Sequence, residues 1–260
     1  MLSVVVIAGV GASVFVRYGP TEQPFRNETL AKPSAKYWFG VDGVGRDVFS
    51  RVLYGARTTA MVAGGAVTVA LACGLVLGVT AGMLGGWVDM VISRVTDFLL
   101  SFPSLLIGLA LLVVLEPSPR SVMWAVAVAS APVMIRQIRA GVLSERAKTY
   151  SLAAEAMGAG RFRIATREIL PNLVGVILTV TMLQLGSAVL EAAGLAFLGL
   201  SGQPDQPEWG LMLKDAFHDF RRAPHLSIAP GLAIAWTVLA CNLLGDGLRE
   251  AIDPKRRTIR

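Results

Sequence analysis

Long stretches of this chain carry no charge at all, and their spacing sets the first expectation. No Lys, Arg, Asp or Glu occurs from Thr58 to Val88, Phe98 to Leu115, Ser121 to Ile135, Ile169 to Leu190, or Ala223 to Gly245. A membrane-spanning helix needs about 20 mostly apolar residues, because the hydrocarbon core is about 30 Å thick and a helix rises about 1.5 Å per residue. Each run is therefore a candidate span. The Ser121 run is short by itself, but it extends past Arg136 if that long side chain snorkels toward the headgroups. A further run, Leu2 to Val16, is expected to form a first spanning helix with a short or truncated start. No basic residue precedes it, as one would in a signal peptide.

Two longer polar segments interrupt this pattern. Residues 17–57 hold Pro20, Pro24 and Pro33 and end in an amphipathic stretch, Val48 to Leu53. Residues 201–223 hold Pro204, Pro207 and an amphipathic piece from Trp209 to Phe220. The expected architecture is an all-α polytopic membrane bundle of about six transmembrane helices. Residues 1–57 supply the first helix and an external loop, 58–248 the membrane domain, and 249–260 a cytoplasmic tail.

Composition strengthens the membrane reading. Of the 260 residues 54% are hydrophobic and 16% charged, against roughly 25% charged in a soluble domain. Disorder is excluded, because disordered chains are poor in apolar residues. A disulfide scaffold is excluded too, since Cys73 and Cys241 are the only cysteines and both sit in apolar runs. A net charge of +6 would suggest nucleic acid in a soluble protein; in a membrane protein it more often reports basic cytoplasmic loops. Residues 136–168 carry seven basic and three acidic side chains, and the segment from Asp246 to the end carries five and three. Those two segments are expected to share the cytoplasmic side. Residues 17–57, with seven basic and four acidic side chains, then lie outside, a mild exception to the rule.

Catalytic chemistry is thinly represented. There is no Gly-x-Ser-x-Gly elbow and no Walker-type phosphate loop, so the chain has no ATP site of that kind. His218 and His225 are read as solvated loop residues rather than metal ligands. Glu191 lies deep in an apolar stretch, where it either lines a pathway or marks a helix end. One carboxylate is too few for a proton relay. Gly74, Gly78 and Gly82 repeat at helical spacing, which suits close helix packing in lipid. Asp42, Arg46 and Asp47 read as a structural turn on the outer face, with a substrate contact as the alternative, and Gly85-Gly86-Trp87 as a turn with an interfacial anchor.

The segment between Arg139 and Pro171 is basic and amphipathic. Ser151 to Met157 favours helix, Gly158 and Gly160 break it, and Phe162 to Leu170 begins a second short piece before Pro171 opens the next helix. Leu152, Met157, Phe162 and Ile164 give this pair an apolar face, which suits docking of another protein better than a solvated loop.

At these residues the chain resembles the membrane subunits of type I ABC importers, whose signature is Glu-Ala-Ala, three residues, Gly, nine residues, then Ile-x-Leu-Pro. Ala153, Ala154, Gly158, Leu170 and Pro171 match in register, while Leu152 and Glu168 replace the Glu and the Ile. Residues 39–47, 85–89, 102–104, 196–200 and 242–254 are similar to elements of the dipeptide/oligopeptide permeases of the DppC/OppC type. The resemblance implies an ABC type I permease fold in the inner or plasma membrane of a prokaryote. It also implies a second permease subunit, two cytoplasmic ATP-binding subunits that hold ATP and Mg, an external solute-binding protein, and a peptide substrate. No cofactor or metal is expected on this chain, and no nucleic acid partner. The loop of about 142–170 would then be the coupling element, with Leu152, Ala153, Ala154, Glu155, Met157, Gly158, Arg161, Phe162, Leu170 and Pro171 facing or shaping the ATPase contact. Rival readings are a secondary carrier or channel, a membrane-embedded enzyme, or an importer of nickel or haem.

Overall fold

The computed structural model describes residues 16–201 and 205–252. All but the last residue of the Leu2–Val16 run, and the tail from 253 onward, lie outside the described residues. The described chain is helical, with one isolated bridge between Val41 and Asp47. Its helices are α1 (Val48–Leu84), α2 (Gly86–Leu100), α3 (Ser104–Val114), α4 (Pro119–Arg146), α5 (Thr149–Ala156), α6 (Arg161–Phe197), α7 (Trp209–Phe217) and α8 (His225–Ile252). Among them α1, α4, α6 and α8 are each long and apolar enough to cross a membrane, and the α2–α3 pair is so only when taken together.

That pair corrects the expectation of one helix from Phe98 to Leu115. The axis turns by 90° between α2 and α3, at Ser101-Phe102-Pro103. Pro103 lacks an N–H and pushes Phe102 out of the helical region, so the ladder stops there. The Ser101 hydroxyl closes the end of α2 by donating to the Phe98 carbonyl at 2.6 Å. Helix α3 has 11 residues, about 16 Å of rise, roughly half the hydrocarbon thickness.

Helix α1 also departs from expectation by starting at Val48, so the amphipathic stretch is its first turn rather than the end of a loop. Asp47 is the N-cap, accepting from the Ser50 N–H at 2.9 Å, which satisfies an otherwise orphan donor. A π-helical turn interrupts α1 at Gly74–Gly78, and another occupies Ile164–Ile169 in α6. The second explains Pro171. The phrase Phe162 to Leu170 is not a separate short helix; it runs unbroken into the span. Proline removes one hydrogen bond and crowds the preceding turn, and the widened turn ahead of it takes up that crowding.

Helices α1, α4, α6, α7 and α8 share the main core, where Val62, Ala66, Ala70, Val122, Ala125, Ala188, Val189 and Trp209 are buried. The glycine ladder faces α4. A Cβ on Gly74 would stand 2.9 Å from Met134, on Gly78 2.9 Å from the Ile135 carbonyl oxygen, and on Gly82 2.6 Å from Val142. Only a bare backbone permits that approach. Thr68, Thr80, Thr96, Thr179, Thr181 and Thr237 each donate to a carbonyl one turn back, so their hydroxyls need no water. One end of the bundle gathers residues 16–51 and 205–226, tied by Trp209 Nε1 to the Val52 carbonyl at 2.8 Å. The other end gathers the α1–α2 corner, the end of α4, and residues 145–173.

Candidate coupling site

The loop between α4 and α6 is held from below by a polar knot. Glu145, nearly buried at the end of α4, accepts from Lys148 Nζ and from the Tyr150 hydroxyl, both at 2.6 Å. Burial and that bond to the carboxylate push the Tyr150 hydroxyl up to about 12. Arg146 donates to the Met83 carbonyl at 3.1 Å and reaches the Gly82 carbonyl at 3.4 Å. A guanidinium therefore closes the C-terminus of α1, where carbonyls are unpaired and the dipole is negative. The inner side of the loop is apolar: Ala154, Ile164, Ala165 and Ile169 pack with Met83, Ile138, Val142 and Leu173.

Helix α5 ends in a Schellman motif. Gly158 N–H donates to the Glu155 carbonyl at 2.9 Å and Ala159 N–H to the Ala154 carbonyl at 3.0 Å. The motif needs a left-handed residue at its hinge, and Gly158 has φ +84°, which glycine adopts without cost. The chain then reverses through Gly160 into α6. This corner leaves Leu152, Ala153, Glu155, Met157, Gly158, Arg161 and Phe162 exposed together. Met157 and Phe162 are each 83% exposed, a large outlay of apolar surface for a loop braced this firmly. Ile164 differs from expectation: it is 3% exposed and points into the bundle. Leu170 and Pro171 lie inside α6, directly after its π turn, rather than at the exposed corner.

Two ion pairs that sequence reasoning missed brace the α1–α2 corner against α4. Arg139 grips Asp89 with both nitrogens of its fork, Nη2 donating to Oδ2 at 2.6 Å and Nε to Oδ1. Arg136 pairs with Asp97 in a more exposed position, where ion pairs contribute about 0–1 kcal/mol. Acids on one face of α2 opposite two arginines of α4 were the available signal, since an ionisable group in an apolar stretch seeks a partner. Asp89→Asn or Arg139→Gln is expected to cost about 2 kcal/mol, the worth of charged hydrogen bonds that are partly shielded. The exchange Asp89→Arg with Arg139→Asp should recover part of it. Thermal unfolding in detergent checks this, and single variants as stable as wild type would show the clamp to be idle.

The opposite end is built on the Asp42 turn. Asp42 Oδ1 accepts from the Val44 and Arg46 N–H groups at 3.0 and 2.9 Å, and its Oδ2 accepts from Arg46 Nε at 2.6 Å. Asp47 caps α1. These residues make a turn, as the sequence suggests. His225 is not a solvated loop residue: it opens α8, half-buried, with Nε2 3.1 Å from the Ala31 carbonyl. Burial pushes the Glu208 carboxyl, at the N-cap of α7, up to about 7. Glu191 lies two turns before the end of α6, so it marks no helix end. Its half-buried carboxyl meets the Ser104 side chain at the start of α3, joining α6 to the broken span.

Residues 74–258 match the family described as the binding-protein-dependent transport system inner membrane component. That match takes in the corner, the glycine ladder and the spans α4, α6 and α8. The chain belongs to this family. It is a multi-pass inner membrane transport component with an all-helical type I permease fold. It is 44% identical over 229 residues to the dipeptide transport system permease protein DppC of Alkalihalophilus pseudofirmus, covering 88% of this chain and 75% of that protein. Over 226 residues it is 43% identical to the glutathione transport system permease protein GsiD of Pectobacterium atrosepticum, covering 87% and 75%. Among solved structures, the MetNI methionine ABC transporter aligns with TM-score 0.67 at 16% identity, over 78% of this permease and 96% of that chain.

Proposed function

We propose that this permease is the membrane subunit of an ATP-driven importer of short peptides, pairing with a second permease to form the route. The carrying observation is the outward corner of Leu152, Met157, Gly158 and Phe162, apolar yet braced to α1 and α4 by Glu145, Arg146 and Tyr150. A rigid link with an exposed apolar tip suits a chain that receives motion from another protein and passes it to a helix bundle. In this reading the partners are two ATPases that bind ATP and Mg, docked at residues 149–162, and an external solute-binding protein. The basic excess of residues 136–168 supports a cytoplasmic position for that corner. The chain performs no chemistry of its own. Relatives named for dipeptide and glutathione transport support a peptide substrate.

The test is reconstitution in vesicles with the second permease, the ATPases and the binding protein. ATP-dependent dipeptide uptake is expected. Phe162→Asp should reduce ATPase copurification at least tenfold, because it places a charge where an apolar tip must be buried. A chain that forms no complex with the ATPases, or an aspartate variant that binds them as wild type does, would remove the importer reading.

A further inference from the structure

Beside the Asp42 turn lies a cleft of about 500 Å³, walled by residues 42–51 on one side and by α7 and the turn after it on the other. The function proposed above does not use it. Its floor holds two arginines. Arg46 donates Nε to Asp42, and among the described residues its terminal nitrogens make only long ion pairs, to Asp205 at 3.8 Å and Asp215 at 3.7 Å. Arg51 is 2% exposed. Its Nη1 donates to the Pro20 carbonyl at 3.1 Å, its Nε stands 3.9 Å from Asp42 Oδ2, and its buried Nη2 has no hydrogen-bond partner among the described residues. An unmade bond on a buried guanidinium is costly, so the floor lacks an acceptor for Arg51 Nη2. The facing wall carries Asp215, Asp219 and His218. Asp219 sits beside Gly43, its Oδ2 3.5 Å from where a Cβ would stand, and it pairs with no cation among the described residues.

Guanidinium groups with a missing or only long terminal contact, opposite the unpaired Asp219, are complementary to a molecule with a carboxylate at one end and an ammonium at the other. Guanidinium takes a carboxylate through two parallel bonds, and the volume falls in the range of small-ligand sites. We propose that this cleft is a binding site for a free zwitterionic peptide of dipeptide size, its carboxylate on Arg46 and Arg51 and its ammonium on Asp215 and Asp219. The proposal rests on the peptide-importer reading and deepens it: the permease itself holds substrate at the end that the charge pattern assigns to the outside, apart from the route through the bundle.

The experiment uses the full transporter in lipid nanodiscs without the solute-binding protein, with L-alanyl-L-alanine as probe and calorimetry as readout. Saturable binding is expected. Asp219→Asn should weaken it at least tenfold, and so should acetylating the probe's amino group. Gly43→Leu should abolish it by filling the cleft, since that position has space and an ordinary backbone. No saturable binding by wild type, unchanged affinity in both variants, or equal affinity for the acetylated probe would overturn the site and leave these charges a structural cluster. Uptake by the same assembly with binding protein and ATP reads the importer separately. Uptake without direct binding sinks only the cleft, whereas no uptake sinks the importer reading.

Discussion

Gly78→Val is expected to prevent stable folding of the bundle, at a cost of about 3 kcal/mol, the upper range for overpacking a close contact. The first added carbon would stand 2.9 Å from the Ile135 carbonyl oxygen and 3.1 Å from the Arg139 nitrogen. Both atoms are backbone of α4, so no rotamer change relieves the overlap; the helices must separate. Separation would unseat Gly74 and Gly82 as well, and would pull Arg139 away from Asp89. The measurement is the yield of monodisperse protein in detergent and its unfolding temperature. Gly64→Ala in the same helix is the control, because a Cβ there meets nothing within 4 Å. A valine variant as stable as that control would mean that α1 and α4 do not pack as described.

Gly158→Val is expected to leave insertion and bundle stability intact while cutting ATP-driven uptake at least tenfold. No atom lies within 4 Å of a Cβ at this position, so crowding is not the mechanism. The cost is in the backbone: φ of +84° is an outlier for a β-branched residue, at about 1–3 kcal/mol. The cheapest relief is to unwind the end of α5, which releases Leu152, Met157 and Phe162 from their shared surface. Uptake and ATP hydrolysis measured side by side should then part, with hydrolysis persisting. Gly158→Asn should retain most uptake, since asparagine tolerates the left-handed region. Normal uptake by the valine variant would remove the corner from the coupling route.

The sequence showed the coupling corner and the glycine ladder clearly because both rest on local rules. Gly158 after a helix-favouring run is a C-cap signal, and glycines at spacing four share one helix face. The 90° break was harder to see. A charge-free run from Phe98 to Leu115 reads as one span by length, and hydropathy is blind to the direction of a helix axis; only Pro103 hinted at the turn. The inward facing of Ile164 follows from periodicity: it stands two residues after the exposed Phe162, about 200° round the helix, so the two cannot share a face. Long-range pairs were beyond reach for another reason. Nothing local to Asp89 or Arg146 says which partner it meets, since each choice depends on packing between elements far apart in the chain.

The Arg146 bond to the Met83 carbonyl joins residues 63 apart, and the Arg139 fork reaches back 50 to Asp89. During synthesis the end of α1 therefore emerges without its cap and waits while the broken span and the whole of α4 are made. Contacts of this sequence separation form late and slowly, so the α1–α2 corner is an unfinished edge until residue 146 arrives. Truncations that stop before Arg146 leave that edge open to proteolysis, whereas those that end just after it have the corner sealed.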